Sequence, residues 1–257
     1  MCLILVAWRV HPMFPLVVAA NRDEFFARPT RPAGFWPQFP HLVAGQDQQG
    51  GGTWMGSTRD GRFAALTNFR DPAAYRDDAP SRGHLVRDFL TGTTSPETYL
   101  DRLVGLASAY NGFNLLVGDG QTLAWFSNVA GQPKSLPPGI YGVSNHLLDT
   151  PWPKVEAGKS AVSRALAALP DDGRLFELLR DDAIHPDENL PRTGVSLDWE
   201  RLLSAAFVRS PDYGTRTSTV LRVGADGIAV FDEQTWLPGA RPGGRVRLRY
   251  SMMSTGV

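Results

Sequence analysis

Two apolar runs at the start of the chain, residues 2–10 and 16–20, constrain the fold more than any other feature of the sequence. Both are rich in Leu, Ile, Val and Ala, and His11, Pro12 and Pro15 interrupt the chain between them. They therefore read as the two strands of a hairpin. Neither run alternates apolar with polar residues. Strands of that kind are covered on both faces, so this hairpin needs one packed layer above it and another below. No crosslink holds those layers, because Cys2 is the single cysteine and one thiol makes no intramolecular disulfide. The core must carry the fold. With 257 residues, 42% hydrophobic and 20% charged, the chain has the material for a sizeable one, expected as one domain over residues 1–257.

The rest of the chain continues largely as hairpins. Asp60-Gly61, Asp119-Gly120 and Asp226-Gly227 each separate two strand-like runs, and Asp-Gly is a strong signal for a hairpin turn. Strands are expected over residues 42–47, 54–58, 62–67, 113–117, 122–127, 140–144, 217–223, 228–231 and 245–250. Helices are expected over 84–90, from Ser95 to about Ser108 with Ser95 as cap and Pro96 in the first turn, and over 154–169, 175–179 and 199–207. Pro29, Pro32, Pro37 and Pro40 punctuate a stretch that also holds Phe35, Trp36 and Phe39. It reads as a loop whose rings pack on the body or line a pocket. Hairpins exclude a mainly parallel, doubly wound sheet. The pattern fits an α+β chain, with antiparallel sheets covered by helix pairs and the first strand inside.

Composition and motifs exclude several function classes. Lys and Arg number 26, and so do Asp and Glu; a formal charge of 26 − 26 = 0 does not suit a nucleic-acid binder. The apolar start is too short for a membrane span and has no basic residue ahead of it, as a signal peptide would. No Asn-x-Ser/Thr sequon occurs, in keeping with a cytoplasmic expectation. Gly158-Lys159-Ser160 resembles the end of a phosphate loop, but the required earlier glycine falls on Pro153. His11, His41, His84, His146 and His185 are scattered without ligand spacing. Neither a metal nor an organic cofactor is expected. The expected partner is a small-molecule substrate or a hydrophobic ligand.

Cys2 admits two readings. A lone cysteine in an apolar strand is commonly a small buried hydrophobe. If Met1 is removed, however, Cys2 carries a free α-amine beside its own thiol, and that amine titrates near pKa ~7.7–8.0, where it acts as a base. Asn21-Arg22-Asp23-Glu24 lies at the end of the strand that returns beside it. Asp23 can hold the ammonium, and Arg22 can favour the thiolate if it lies within ~4–6 Å. The plain alternative is polar residues that cap a strand end and pair with one another.

A wider set of blocks gives these residues a context. Met1-Cys2 with its apolar strand, Ala20-Asn21-Arg22-Asp23-Glu24-Phe25, Gly51-Gly52-Thr53-Trp54, Leu66-Thr67-Asn68-Phe69-Arg70, Gly112-Phe113-Asn114-Leu115-Leu116, Ser144-Asn145-His146-Leu147, Thr150-Pro151-Trp152-Pro153-Lys154 and Tyr213-Gly214-Thr215-Arg216 together resemble the NRDE family, also called the transport and Golgi organisation 2 family. That family resembles N-terminal nucleophile hydrolases, whose fold is a four-layer αββα sandwich of two antiparallel sheets. Within them it looks closest to the choloylglycine hydrolase and penicillin V acylase branch. The resemblance implies Cys2 as nucleophile, Asp23 as partner of its amine, Asn145 as an oxyanion donor with Asn68 beside it, and Arg216 near the nucleophile. The branch's arginine position falls on Ala20, while this chain's arginine is Arg22. The implied function is cleavage of an amide or thioester bond of a small acylated compound. The alternative is a non-catalytic carrier of lipid, acyl-CoA or haem on the same fold. In either case Trp36, Phe39 and Trp54 are expected to contact the ligand.

Overall fold

The structure, a computed structural model, describes residues 2–252. The first hairpin forms β1 (Cys2–Trp8) and β2 (Leu16–Phe25). The second strand runs through the whole Asn-Arg-Asp-Glu stretch rather than ending before it. The structure then adds β3 (Thr30–Trp36), β4 (Phe39–Asp47), β5 (Met55–Thr58), β6 (Phe63–Asn68), β7 (Phe113–Gly118), β8 (Leu123–Ser127), β9 (Lys134–Ser135) and β10 (Gly139–Val143). Late in the chain come β11 (Tyr213–Val223), β12 (Ile228–Leu237) and β13 (Arg241–Ser251). Helices α1 (Gly83–Thr91), α2 (Pro96–Val104), α3 (Pro153–Ala165), α4 (Gly173–Leu178) and α5 (Leu197–Leu202) complete it. Among the described residues, no helix is long and apolar enough to cross a membrane.

These strands make two antiparallel sheets. One has six strands in the order β10-β1-β2-β11-β12-β13, the other seven in the order β3-β4-β5-β6-β7-β8-β9. The continuous apolar character of β1 follows from its place between layers. Ile4, Val6 and Trp8 face the second sheet and pack with Val43, Met55 and Phe63, while Leu3, Leu5 and Ala7 face Val155, Val162 and Leu175 of the α3–α4 layer. On the far side, Leu85, Val86, Phe89 and Leu90 of α1 and Leu100 of α2 cover the outer face of the seven-stranded sheet. The result is a four-layer αββα sandwich.

Three expectations shift. The aromatic stretch expected as a loop is the β3–β4 hairpin; Pro32 is accommodated in β3 because that is an edge strand and the register shifts there, while Pro29 precedes β3 and Pro37 lies in the turn. The helix begun by Ser95 stops at Val104, with a short 3-10 turn over Ala107–Ala109. The helix expected over 199–207 is α5, ending at Leu202, and Phe207 instead bonds through its N–H to the Asp181 carbonyl.

Candidate active site

Because β1 pairs with β2 from Cys2 opposite Arg22 to Trp8 opposite Leu16, alternation places Cys2 and Arg22 on the inner face of the six-stranded sheet, beside Ile4 and Ala20. Asn21 and Asp23 take the opposite face, where the Asn21 amide donates to the carbonyls of Leu179 (2.7 Å) and Ala206 (2.8 Å). Cys2 is 8% exposed. Burial pushes its thiol pKa up, Asp23 adds to that, and Arg22 and the backbone N–H of Asp23 pull the other way by favouring the thiolate. The Ser144 hydroxyl donates to the Cys2 carbonyl at 3.0 Å and fixes the start of the strand. Asp23 Oδ1 accepts from the Thr215 hydroxyl at 2.7 Å. Burial pushes this carboxyl up too, opposed by the Thr215 bond and by the charges of Lys154 and Arg22. Met1, whose removal the sequence reading invokes, lies outside the described residues.

Cys2 opens onto a cavity of about 480 Å³ between the sheets, lined also by Arg22, Asp23, Trp54, Asn68, Arg82 and Glu233. The turn after β4 shapes its mouth. Asp47 accepts from Arg28 through Nε (3.0 Å) and Nη2 (2.7 Å), and from the N–H of Gln49 and Gly50. Gly51 has φ +73, and a Cβ at Gly52 would lie 2.4 Å from the Gly83 carbonyl. Only glycine lets the two backbones approach so closely, and that approach sets Arg82, just before α1, over the cavity. Arg and carboxylate groups dominate the walls. An apolar pocket, expected from the aromatic stretch, is not what the chain builds.

The remaining sequence candidates divide. Asn68 lines the cavity. Asn145 sits behind it, fully buried just after β10, and its Nδ2 donates to the Asn68 carbonyl at 2.9 Å while its Oδ1 accepts from the Ser144 hydroxyl at 3.3 Å. Trp54 reaches the cavity, but Trp36 and Phe39 do not. Both pack in the core beneath α1 and α2, and the Trp36 indole donates to the Ala44 carbonyl. Alternation in β3 explains the placement of Trp36, since it is Phe35 that faces between the sheets. Arg216 occupies a bulge in β11. Its Nη1 donates to the carbonyls of Phe25, Phe26 and Arg28, so it ties the turn after β2 and is absent from the cavity wall.

Four residues that sequence reasoning did not select stand close by. Lys154 is buried, with its Nζ bonded to the carbonyls of Leu203 (2.8 Å) and Ala205 (3.4 Å). Burial pulls its pKa down to about 8 against the opposing charge of Asp23. Its signal was present, as a lysine on the apolar side of an amphipathic helix. Thr217 and Glu233 reach the cavity through long-range strand pairing and Arg82 through the close approach of Gly52 to Gly83, none of which a local pattern reveals. Among the described residues, no three His, Cys, Asp or Glu side chains converge as a metal-holding group.

Comparison with known proteins agrees with the family reading. The family model described as Transport and Golgi organisation 2 matches residues 1–238. The chain is 38% identical to the Transport and Golgi organization protein 2 homolog of Bos taurus, with 92% of this chain and 94% of that protein covered. It is 36% identical to the Homo sapiens homolog over the same shares, and 29% identical to the Drosophila melanogaster protein, covering 95% of each. Among solved structures it is similar to a Caenorhabditis elegans ortholog of N-acylethanolamine-hydrolyzing acid amidase (TM-score 0.48, 12% identity, 86% of this chain and 92% of that one). It is likewise similar to a mutant conjugated bile acid hydrolase from Clostridium perfringens (TM-score 0.47, 10% identity, 98% and 92%). Superpositions this loose carry no conclusion about chemistry. The match along nearly the whole chain does establish that it belongs to the Transport and Golgi organisation 2 family.

Proposed function

We propose that this family member is an N-terminal cysteine hydrolase that cleaves the amide or thioester bond of a small acylated compound. The observation that carries the reading is the position of Cys2. It is the first residue of a doubly covered strand, opens onto a cavity, and has Arg22 opposite it and the N–H of Asp23 at its thiol. A cysteine serving only to fill the core has no use for that surrounding.

In the proposed reaction, removal of Met1 exposes the α-amine of Cys2. The amine takes the thiol proton as Sγ bonds to the substrate carbonyl carbon. Asp23, held by Thr215, orients the resulting ammonium. Asn68 donates to the carbonyl oxygen as it becomes an oxyanion, and Asn145 positions Asn68 through its 2.9 Å bond. The intermediate collapses as the C–N bond breaks and the ammonium returns its proton to the leaving nitrogen; for a thioester substrate the leaving atom is sulfur. Water then attacks the thioester on Cys2, its proton passing to the same amine, and the carboxylic acid and the free thiol are released. Burial opposes thiolate formation, and Arg22, the Asp23 N–H and transfer of the proton to the adjacent amine offset that cost in the proposed scheme.

The cavity weighs against a carrier of a purely apolar ligand such as a lipid chain, since Arg22 and Arg82 line it and an apolar surface offers their guanidinium groups no acceptor; the phosphates of an acyl-CoA or the propionates of haem would meet no such objection. The test is single-turnover acylation of the Met1-free protein by acyl amides, acyl-CoA thioesters and a 4-nitrophenyl ester. A thioester adduct on Cys2 that is absent in Cys2→Ala supports the reading. Equal rates for wild type and Cys2→Ala across all three overturn it.

A further inference from the structure

The inner face of the six-stranded sheet holds two buried polar atoms that find no partner among the described residues. Cys2, Arg22 and Thr217 stand side by side on β1, β2 and β11, with Cys2 opposite Arg22 and Arg22 opposite Thr217. All three line the cavity. Arg22 is 6% exposed, and its Nη1 has no hydrogen-bond partner among the described residues; its Nη2 lies 3.5 Å from Glu24. Thr217 is also 6% exposed, and its Oγ1 is likewise without a partner among them. Burying polar groups unpaired is costly, so two such atoms on one patch of cavity wall mark a patch that a ligand completes.

The chemistry of that ligand follows from the donors. A guanidinium N–H only donates, while a hydroxyl can donate or accept. A group that answers both is therefore an acceptor, and beside a cation an anionic one is favoured. Arg82, on another wall, gives its Nη1 to the Gly112 carbonyl at 2.8 Å and has no ion-pair partner among the described residues. Arg28 differs, being taken up by Asp47 at 2.7 Å. Glu233, on the same sheet face, already accepts from the Ala33 N–H at 2.8 Å and from the Thr219 hydroxyl at 3.4 Å. Burial pushes its pKa up, opposed by those two bonds and by the charge of Arg22, and its acceptor oxygens are already engaged within the wall. Directly paired residues of neighbouring strands have Cβ atoms about 4.5–5.5 Å apart, which sets an anion on Arg22 and Thr217 a few bonds from a carbonyl at Cys2.

We propose that Arg22 and Thr217, faced by Arg82, bind a carboxylate of the substrate, so that the chain acts on acyl compounds whose scissile bond lies a few bonds from an anionic group. This substrate class rests on reading Cys2 as the nucleophile, and the test separates the two. The catalytically silent Cys2→Ala protein is titrated calorimetrically with N-hexanoylglycine and with the neutral N-hexanoylglycinamide. The acid should bind at least about ten-fold more tightly than the amide. In the same background Thr217→Val and Arg82→Met, each checked for an unchanged melting curve, should weaken the acid by about five-fold or more and leave the amide unchanged. Equal binding of acid and amide, no binding of the acid at millimolar concentration, or acid binding that neither substitution alters overturns the subsite. Charge-selective binding without turnover by wild type keeps the subsite and removes the hydrolase. Turnover with no preference for charge does the reverse.

Discussion

Replacing Glu200 by Gln tests how the scaffold behind the site is held. Glu200 and Arg70 lie 2.7 Å apart with side chains 4% and 3% exposed. Glu200 Oε1 also accepts from the N–H and hydroxyl of Thr193, both at 2.7 Å. Glutamine keeps that acceptor but puts an NH2 where Oε2 accepts from Arg70 Nη1, so the substitution removes the charge and that hydrogen bond together. Arg70 is braced further, with its guanidinium 5.0 Å from the Trp152 ring centre and its backbone N–H on the Asn145 carbonyl at 2.8 Å. The ion pair therefore anchors the segment that carries Asn68 and Asn145. Removing one partner of a buried pair costs about 3–5 kcal/mol. At about 2–4 °C per kcal/mol for a chain of this size, the melting midpoint should fall by about 6–20 °C. Circular dichroism melts of wild type and Glu200→Gln read this directly. Asp187→Asn is the control: Asp187 meets Arg201 at the same 2.7 Å, but solvent screens that exposed pair, and its midpoint should not move. The double replacement Arg70→Met with Glu200→Leu removes both charges and should cost less than the two singles summed. A Glu200→Gln midpoint within about 2 °C of wild type would refute the reasoning, because losing the carboxylate of a buried ion pair should cost more than that.

Other consequences lie closer to the chemistry. Asn68→Ala should lower kcat by about 10²–10³-fold, the cost of one oxyanion donor, and Asn145→Ala should lower kcat with KM nearly unchanged, both read by steady-state kinetics on whichever acyl substrate is turned over. Trp36→Ala should destabilise by about 3–5 kcal/mol through lost core packing and leave KM unchanged, as urea unfolding and kinetics together would show. Lys154 adds a pH signature. Its native pKa of about 8 lies below its ordinary 10.5, so between those values the unfolded chain binds more protons and stability rises with pH, by about 3 kcal/mol in all. Urea midpoints measured across that window should show the rise in wild type relative to Lys154→Met; parallel curves would contradict it.

What could be read from the sequence was what local chemistry dictates. The doubly apolar β1 has no stable place except inside a layered fold, and Asp60-Gly61, Asp119-Gly120 and Asp226-Gly227 do turn the chain, with the glycines at φ +89, +85 and +73. Cys2, Arg22 and Asp23 were legible as a group because a short hairpin brings them together. Thr217 was not, because β11 reaches β2 across nearly the whole chain and only the sheet order sets it beside Arg22. The β3 edge strand was hidden by its prolines, which mark a loop unless the strand has a free side. The misjudged lining had a related cause. Without a register, the aromatic residues of β3 and β4 cannot be assigned to a face, and a one-residue step decides whether Phe35 or Trp36 points between the sheets. Arg216 was read by its neighbours in sequence, whereas the bulge in β11 turns it to the carbonyls after β2.

The central claim is that Cys2, once Met1 is gone, forms the bond to the substrate. Intact-mass spectrometry of the protein purified from the cell that makes it, before and after brief exposure to an activated acyl ester, tests that claim most directly. The account predicts a mass lacking Met1 and, after exposure, one added acyl group that maps to Cys2 and is absent in Cys2→Ala. A protein that retains Met1 in full, or that takes up acyl groups equally with and without the Cys2 thiol, would contradict it.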